Sequence, residues 1–292
     1  MIQNSKGAAA GKLLANIIFV LLSLSCLLPI ILIISISLSD NGEILKYGYS
    51  FLPRGFNLEA YEYLMKDSTK LVNAYKITII ATVGGTFVAM MSTITLAYVT
   101  SRKDYQFRSV ISFMIAFTML FNAGLVPSYI WITKYLHLKN NLLVLILPGS
   151  VTAWYIILLR SFFLGLPDEI FEAAEIDGSS EWSSLFKIAL PLSKPALATV
   201  GLFIILAYFN SWQDSMLYMA EDRISVQYFL YKTMNNIQEA QSGNSFMDTA
   251  QVFPQEPVRM AMAVVAMLPI VIIFPFLQKY FVKGITIGSV KG

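Results

Sequence analysis

Charge is scarce in this sequence. Only 13% of its 292 residues are Asp, Glu, Lys or Arg, against about 25% in a soluble domain. With 56% hydrophobic residues and a mean hydropathy of +0.63, such a chain is solvated by lipid. The net charge of +3 is small, and the basic residues fall in short clusters between apolar runs. That pattern gives no basic stripe for nucleic acid. A single cysteine, Cys26, excludes an internal disulfide and a cysteine-based zinc site. The single histidine, His137, argues against a histidine metal site and a His-centred triad. No nucleophile–base set stands out. Glu172 and Glu175 share a helical face and read as an exposed or partner-facing acidic surface. The chain is therefore expected to have no catalytic residues and no metal site.

What is present is apolar length. A membrane span needs about 20 largely apolar residues. Five runs meet or approach this: Leu13–Leu38, Ile77–Val99, Ser109–Thr133, Leu142–Leu159 and Met260–Leu277. A sixth, Ala196–Met219, is apolar only to Phe209 and then meets Asn210-Ser211-Trp212-Gln213-Asp214. Polar groups at membrane depth are tolerated where they face protein or a wet cavity, so this run is predicted to be a helix with a polar outer third. The first run is too long for a signal-peptide core of about 7–15 residues. The fold class is all-α, an integral membrane protein with six transmembrane helices. Asn122 and Gly124 interrupt the third run, as either a local irregularity or a place of tight helix packing.

About half of the 21 basic residues fall on each side of the membrane. The cluster Arg102-Lys103 with Arg108 sits in a tight loop, where the positive-inside rule is most reliable, and it favours a cytoplasmic N-terminus. The expected organisation is a cytoplasmic segment 1–12, a first helix 13–38, an extracytoplasmic segment 39–71, a core 72–285 and a cytoplasmic tail 286–292.

The segment 166–195 is the most informative. Pro167 suits a first helical turn, and Asp168, Glu169 and Glu172 crowd the positive end of the helix dipole. Gly178 is placed to end this helix, and Ser179 or Ser180 to cap a second one, which Pro191 and Pro195 punctuate. A helix–Gly–helix of this kind suits the membrane surface, either as a plain interfacial connector or as a platform for a soluble partner.

Glu172-Ala173-Ala174-Glu175-Ile176-Asp177-Gly178, followed by Ile188-Ala189-Leu190-Pro191 and Lys194-Pro195, resembles the EAA signature of binding-protein-dependent ABC importer permeases. The likeness is to the carbohydrate-uptake branch represented by the maltose transporter's smaller permease. Gly284 to Gly292 is similar to the C-terminal tail of that branch, and Phe274 to Phe281 resembles permeases served by lipoprotein binding proteins. The resemblance implies a type I ABC importer fold with a cytoplasmic coupling helix. It assigns Glu172, Ala173, Ala174, Asp177 and Gly178 to ATPase coupling, and Gly288 and Lys291 to a tail that reaches the ATPase. The implied partners are a second, homologous permease in a heterodimer, two ATPase subunits and an extracytoplasmic solute-binding lipoprotein. The implied setting is a bacterial plasma membrane, with both termini cytoplasmic and a sugar, in oligosaccharide form, as cargo.

The chain carries no phosphate loop of its own. Gly7-Ala8-Ala9-Ala10-Gly11-Lys12-Leu13 is one residue short of the Walker pattern and ends in Leu, so ATP and Mg are expected on partner subunits and no cofactor on this chain. The rival function is secondary, ion-coupled transport. Span interiors hold almost no ionisable groups beyond Asp214, which argues against a proton-coupled carrier and leaves sodium sites built from carbonyls open. Six helices are few for enclosing a sugar-sized passage, which points to a pathway between two subunits. Tyr208, Asn210, Trp212, Gln213 and Asp214 are the candidates for its wall, since aromatic faces stack on sugars and amides and carboxylates bond hydroxyls. Trp212 fits an interfacial belt residue equally, and Asp214 fits an outer-end surface charge. Trp154 and Tyr155 are explained as well by packing or lipid contact.

Overall fold

The computed structural model describes residues 6–66, 68–242 and 254–288. Among the described residues all regular structure is helical. The chain divides into two compact units, Met1–Ser68 with Lys232–Leu268, and Thr69–Tyr231 with Pro269–Gly292.

In the first unit, helix α1 (Lys6–Ser37) is an unbroken 32-residue rod, about 48 Å long. From Gly11 to Ile34 none of its residues is buried, as lipid contact requires. Its hydroxyls bond backward within the helix, Ser23 Oγ to the Phe19 carbonyl and Ser25 Oγ to that of Leu22, each at 2.8 Å. They thus ask nothing of the hydrocarbon. At the far end, Ser35 Oγ donates to the Ser50 carbonyl and Ser37 Oγ meets the Tyr61 hydroxyl, both at 2.8 Å. These contacts fasten two short helices, α2 (Asn41–Tyr47), capped by Asp40, and α3 (Glu59–Lys66), over the end of α1. The sequence marked this stretch only as an extracytoplasmic segment.

In the second unit, helix α4 (Ser68–Ser101) runs 34 residues without a break, starting well upstream of the expected Ile77. Small residues Ala81, Gly85, Ala89, Thr93, Ala97 and Ser101 recur every four positions and are buried, so neighbouring backbones approach closely. A hydrophobic core joins α4 to the shorter helices through Ile94, Ile156, Leu159, Val200, Ile204 and Tyr208.

The run Met260–Leu277 lies within one continuous helix, but the third, fourth and sixth runs are less regular than hydropathy implied. The third is a bent pair, α5 (Arg108–Leu120) and α6 (Leu125–Ile130), the latter continuing as a π-turn over Trp131–Tyr135. The two parts diverge by 114°. Asn122 Oδ1 accepts from the Gly124 N–H at 2.8 Å, and Gly124 takes φ +84, which turns the chain where a helix would have continued. Of the two readings of Asn122 and Gly124, the local irregularity is the one found.

The fourth run is a 3-10 turn (Leu142–Leu145), then a turn through Pro148-Gly149, then α7 (Ala153–Phe163) of 11 residues. That helix is about 16 Å long, short of a roughly 30 Å hydrocarbon core. The cytoplasmic-loop candidate supplies α8 (Asp168–Ile176), α9 (Glu181–Ser184), a π-turn (Leu185–Ala189) and α10 (Leu190–Leu192). After an 86° bend at Ser193 comes α11 (Lys194–Asn210). The polar outer third of the sixth run is a separate helix, α12 (Gln213–Tyr218). Helices α13 (Val226–Ser242) and α14 (Gln255–Gly288) complete the order. Among the described residues three helices are long and apolar enough to cross a membrane, or up to five if each bent pair counts as one span. Apolar length marks a run but carries no information about backbone direction.

Candidate functional site

The surface segment after α7 is built as its sequence implies, except that Pro167 stands just before the helix and not in its first turn. Pro167 precedes α8 in an extended conformation, with Asp168 and Glu169 in the first turn where the helix dipole favours them. The helix ends in a Schellman arrangement. The Gly178 N–H donates to the Glu175 carbonyl and the Ser179 N–H to that of Ala174, each at 2.9 Å. Gly178 takes φ +75, and a Cβ there would meet no atom within 4 Å. Its requirement is therefore conformational, not steric. Ser180 then caps α9, its Oγ accepting from the Ser183 N–H at 3.3 Å. Gly178→Ala is expected to weaken the turn by about 1 kcal/mol. Hydrogen exchange of the 177–179 amides should then quicken about fivefold; unchanged exchange would remove the strain argument.

Of the proposed coupling residues, Glu172, Ala173, Asp177 and Gly178 are exposed and Ala174 is half-buried. Ile176 stands 87% exposed at the tip. The surface is held from below. Phe171 is buried, 6.4 Å from the Tyr98 ring and 4.9 Å beneath the Arg102 guanidinium. Tyr98 donates to Glu181 at 2.7 Å, and Arg102 pairs with the same carboxylate at 3.5 Å. Arg160 Nε donates to the Thr100 carbonyl at 3.0 Å. Lys103 bonds Asp168 at 2.5 Å. That hydrogen bond, with the Lys103 charge, holds the Asp168 carboxyl below its ordinary range and raises the Lys103 ammonium. The Asp168 share is lost only as pH falls through its lowered pKa, and the Lys103 share only as pH rises through its raised one. This pair is solvent-exposed, so salt screens it.

The solute-pathway candidates separate. Tyr208 is buried: its hydroxyl donates to the Ile146 carbonyl at 2.7 Å, and its ring lies against Gly85 and Gly149. It packs α11 onto α4 and lines no surface. Asn210, Trp212 and Gln213 are exposed. Asp214 is partly buried and accepts from Ser211 Oγ at 3.0 Å. The structure adds residues that the sequence reading missed. The Tyr231 ring stacks on Trp212 at 4.8 Å, Tyr228 lies 6.4 Å from Tyr231, and Gln227 Nε2 donates to Asn210 Oδ1 at 3.4 Å. The spacings of three and four residues on α13 were the available signal. The break before α12 is pinned by Ser225, whose Oγ donates to the Ser211 carbonyl and whose N–H donates to Ser215 Oγ.

Gly288 is the last described residue of α14; Lys291 lies outside the described residues. Among the described residues no group of three or more His, Cys, Asp or Glu is arranged to hold a metal.

Residues 2–287 match the family described as binding-protein-dependent transport system inner membrane component. The chain is 35% identical to the polygalacturonan/rhamnogalacturonan transport system permease protein YtcP of Bacillus subtilis, over 92% of this chain and 94% of that one. It is 26% identical to the arabinooligosaccharides transport system permease protein AraQ of the same organism, over the full length of both. A crystal structure of a bacterial ABC transporter involved in import of the acidic polysaccharide alginate includes a chain of the same fold. It superposes with a TM-score of 0.77 and 30% identity, covering 96% of this chain and 100% of that one. The fold, the exposed helix–Gly–helix and these likenesses agree: this chain belongs to the binding-protein-dependent transport system inner membrane components, the permease subunits of ABC importers.

Proposed function

We propose that this permease forms one half of the membrane passage of an ATP-driven importer for a sugar in oligosaccharide form. The observation that carries the reading is the exposed α8–Gly178–α9 surface, anchored below by buried Phe171 and presenting Glu172, Ala173 and Asp177 outward. A surface so held can receive a push from a soluble partner without unfolding. Sugar as cargo is supported by relatives whose names specify plant-wall polysaccharides and arabinooligosaccharides. The stacked Trp212 and Tyr231 rings, flanked by the Asn210 and Gln227 amides, have the chemistry of a sugar-binding wall.

In this proposal a second, similar permease completes the passage. Two ATPase subunits carry ATP and Mg, and a binding lipoprotein delivers the solute outside. The loop and the Arg102, Lys103 and Arg108 cluster lie on the cytoplasmic side, with both termini and the 286–292 tail. Segment 39–71 and the Trp212–Tyr231 surface then lie toward the outside. ATP binding closes the ATPases, moves α8 and α9, and turns the passage from inward to outward access.

The test is reconstitution of the complete complex in liposomes. Uptake should require both ATP and the binding protein and should persist when ionophores collapse all ion gradients. Uptake driven by a gradient without ATP would overturn the proposal in favour of ion-coupled transport.

A further inference from the structure

Resting on the coupling role proposed for the loop, we infer that Arg102 is the positioning residue that makes its two helices and α4 move as one body. Helices α8 and α9 are separated by the Gly178 turn, where a Cβ would meet no atom within 4 Å, so no packed side chain braces one half against the other at that point. By itself such a turn lets one half tilt without the other. Arg102 spans it. Its guanidinium covers Phe171 of α8 at 4.9 Å and reaches Glu181 of α9 at 3.5 Å. Tyr98, one turn earlier on α4, donates to the same Glu181 at 2.7 Å and sits against Phe171 and Phe163. Both halves are thus fastened to adjacent turns at one end of α4. The Arg102 side chain is 16% exposed and Glu181 60%, so water screens this pair from one side only, whereas both members of the Lys103–Asp168 pair are open; Arg102 also meets Asp104 at 3.5 Å.

Helix α4 continues unbroken from Ser101 back to Ser68. Along it, Gly85 receives the Tyr208 ring of α11. Farther on, Thr78 Oγ1 accepts the Val226 N–H at 2.8 Å in a buried bond. Val226 opens α13, which carries Tyr231 onto Trp212. From Arg102 to Thr78 an α-helix extends about 36 Å. The chain therefore holds a rigid link from the loop to the aromatic–amide wall, and Arg102 is the joint at its loop end.

The experiment uses the complete complex with its ATPases and binding protein in liposomes, reading solute taken up per ATP hydrolysed. Arg102→Ala is expected to lower that ratio about tenfold while the ATPases still co-purify and still hydrolyse ATP, because the exposed surface they meet is untouched. Tyr98→Phe and Glu181→Gln remove one hydrogen bond or one charge and should move the ratio the same way, by less. Arg102→Lys keeps the charge but not the flat guanidinium over Phe171, and should recover only part. Arg102→Ala with Glu181→Gln should be no worse than Arg102→Ala alone, since both cut one path. If Arg102→Ala prevents assembly, Tyr98→Phe and Glu181→Gln decide, and wild-type ratios in both overturn the inference. A Glu172→Ala complex serves as control. If it loses uptake while Arg102→Ala keeps the wild-type ratio, the role of Arg102 falls and the coupling reading stands. If Glu172→Ala also transports normally, the coupling reading itself falls.

Discussion

Glu172→Ala should cut solute uptake and solute-stimulated ATP hydrolysis by about thirtyfold or more, the equivalent of about 2 kcal/mol lost when one partner of a desolvated polar contact is removed. The size follows from where Glu172 sits. It is exposed on α8, one position beyond the Phe171 anchor and on the outward face. Alanine has the higher helix propensity, so α8 itself should not loosen, and the loss reports contact with a partner. Gly178→Asp tests the same surface differently. Aspartate tolerates a left-handed conformation better than most residues, so the φ of +75 is a small obstacle. The new carboxylate, however, joins Glu175 and Asp177 on an already acidic tip, where like charges repel. Uptake and stimulated hydrolysis at wild-type rates in both variants would show that this surface does not couple.

That surface was the most legible part of the sequence, for local reasons. Pro167, Gly178 and Ser180 each act within a few residues, through a fixed φ, a positive φ and a side-chain cap, and all three do so here. The α1 and α4 rods were legible because apolar length is itself the cause of a span. The bends were legible only in part. Asn122 and Gly124 marked an interruption, but the turn they make through a hydrogen bond was one of two readings, and nothing in the hydropathy showed the Pro148-Gly149 turn that leaves the fourth run with only an 11-residue helix. The aromatic wall was half legible. Trp212 and Asn210 stood out against an apolar run, whereas Gln227, Tyr228 and Tyr231 lay outside every apolar run. Tyr208 looked like a wall residue because a tyrosine hydroxyl invites that reading. Its acceptor, the Ile146 carbonyl, lies 62 residues away in sequence, beyond the reach of any local pattern.

The buried Tyr208 leads to the second large effect. Gly85→Ala should destabilise the folded protein by about 1–3 kcal/mol, the usual range for overpacking. The added methyl would lie 2.6 Å from the ring carbons Cδ1 and Cζ of Tyr208. The ring has little room to yield. Its hydroxyl is tied to Ile146, and a Cβ at Gly149 would already lie 3.0 Å from that oxygen. Relief therefore requires giving up the hydrogen bond or parting α4 from α11. Tyr208→Phe separates these causes. It releases the ring from Ile146, so a protein carrying both Gly85→Ala and Tyr208→Phe should be less destabilised than the sum of the two single changes. Thermal unfolding of the purified protein measures all three variants. A Gly85→Ala midpoint equal to wild type would show that α4 and α11 do not meet closely at this point, and the link from the loop to the outer wall would lose its middle contact.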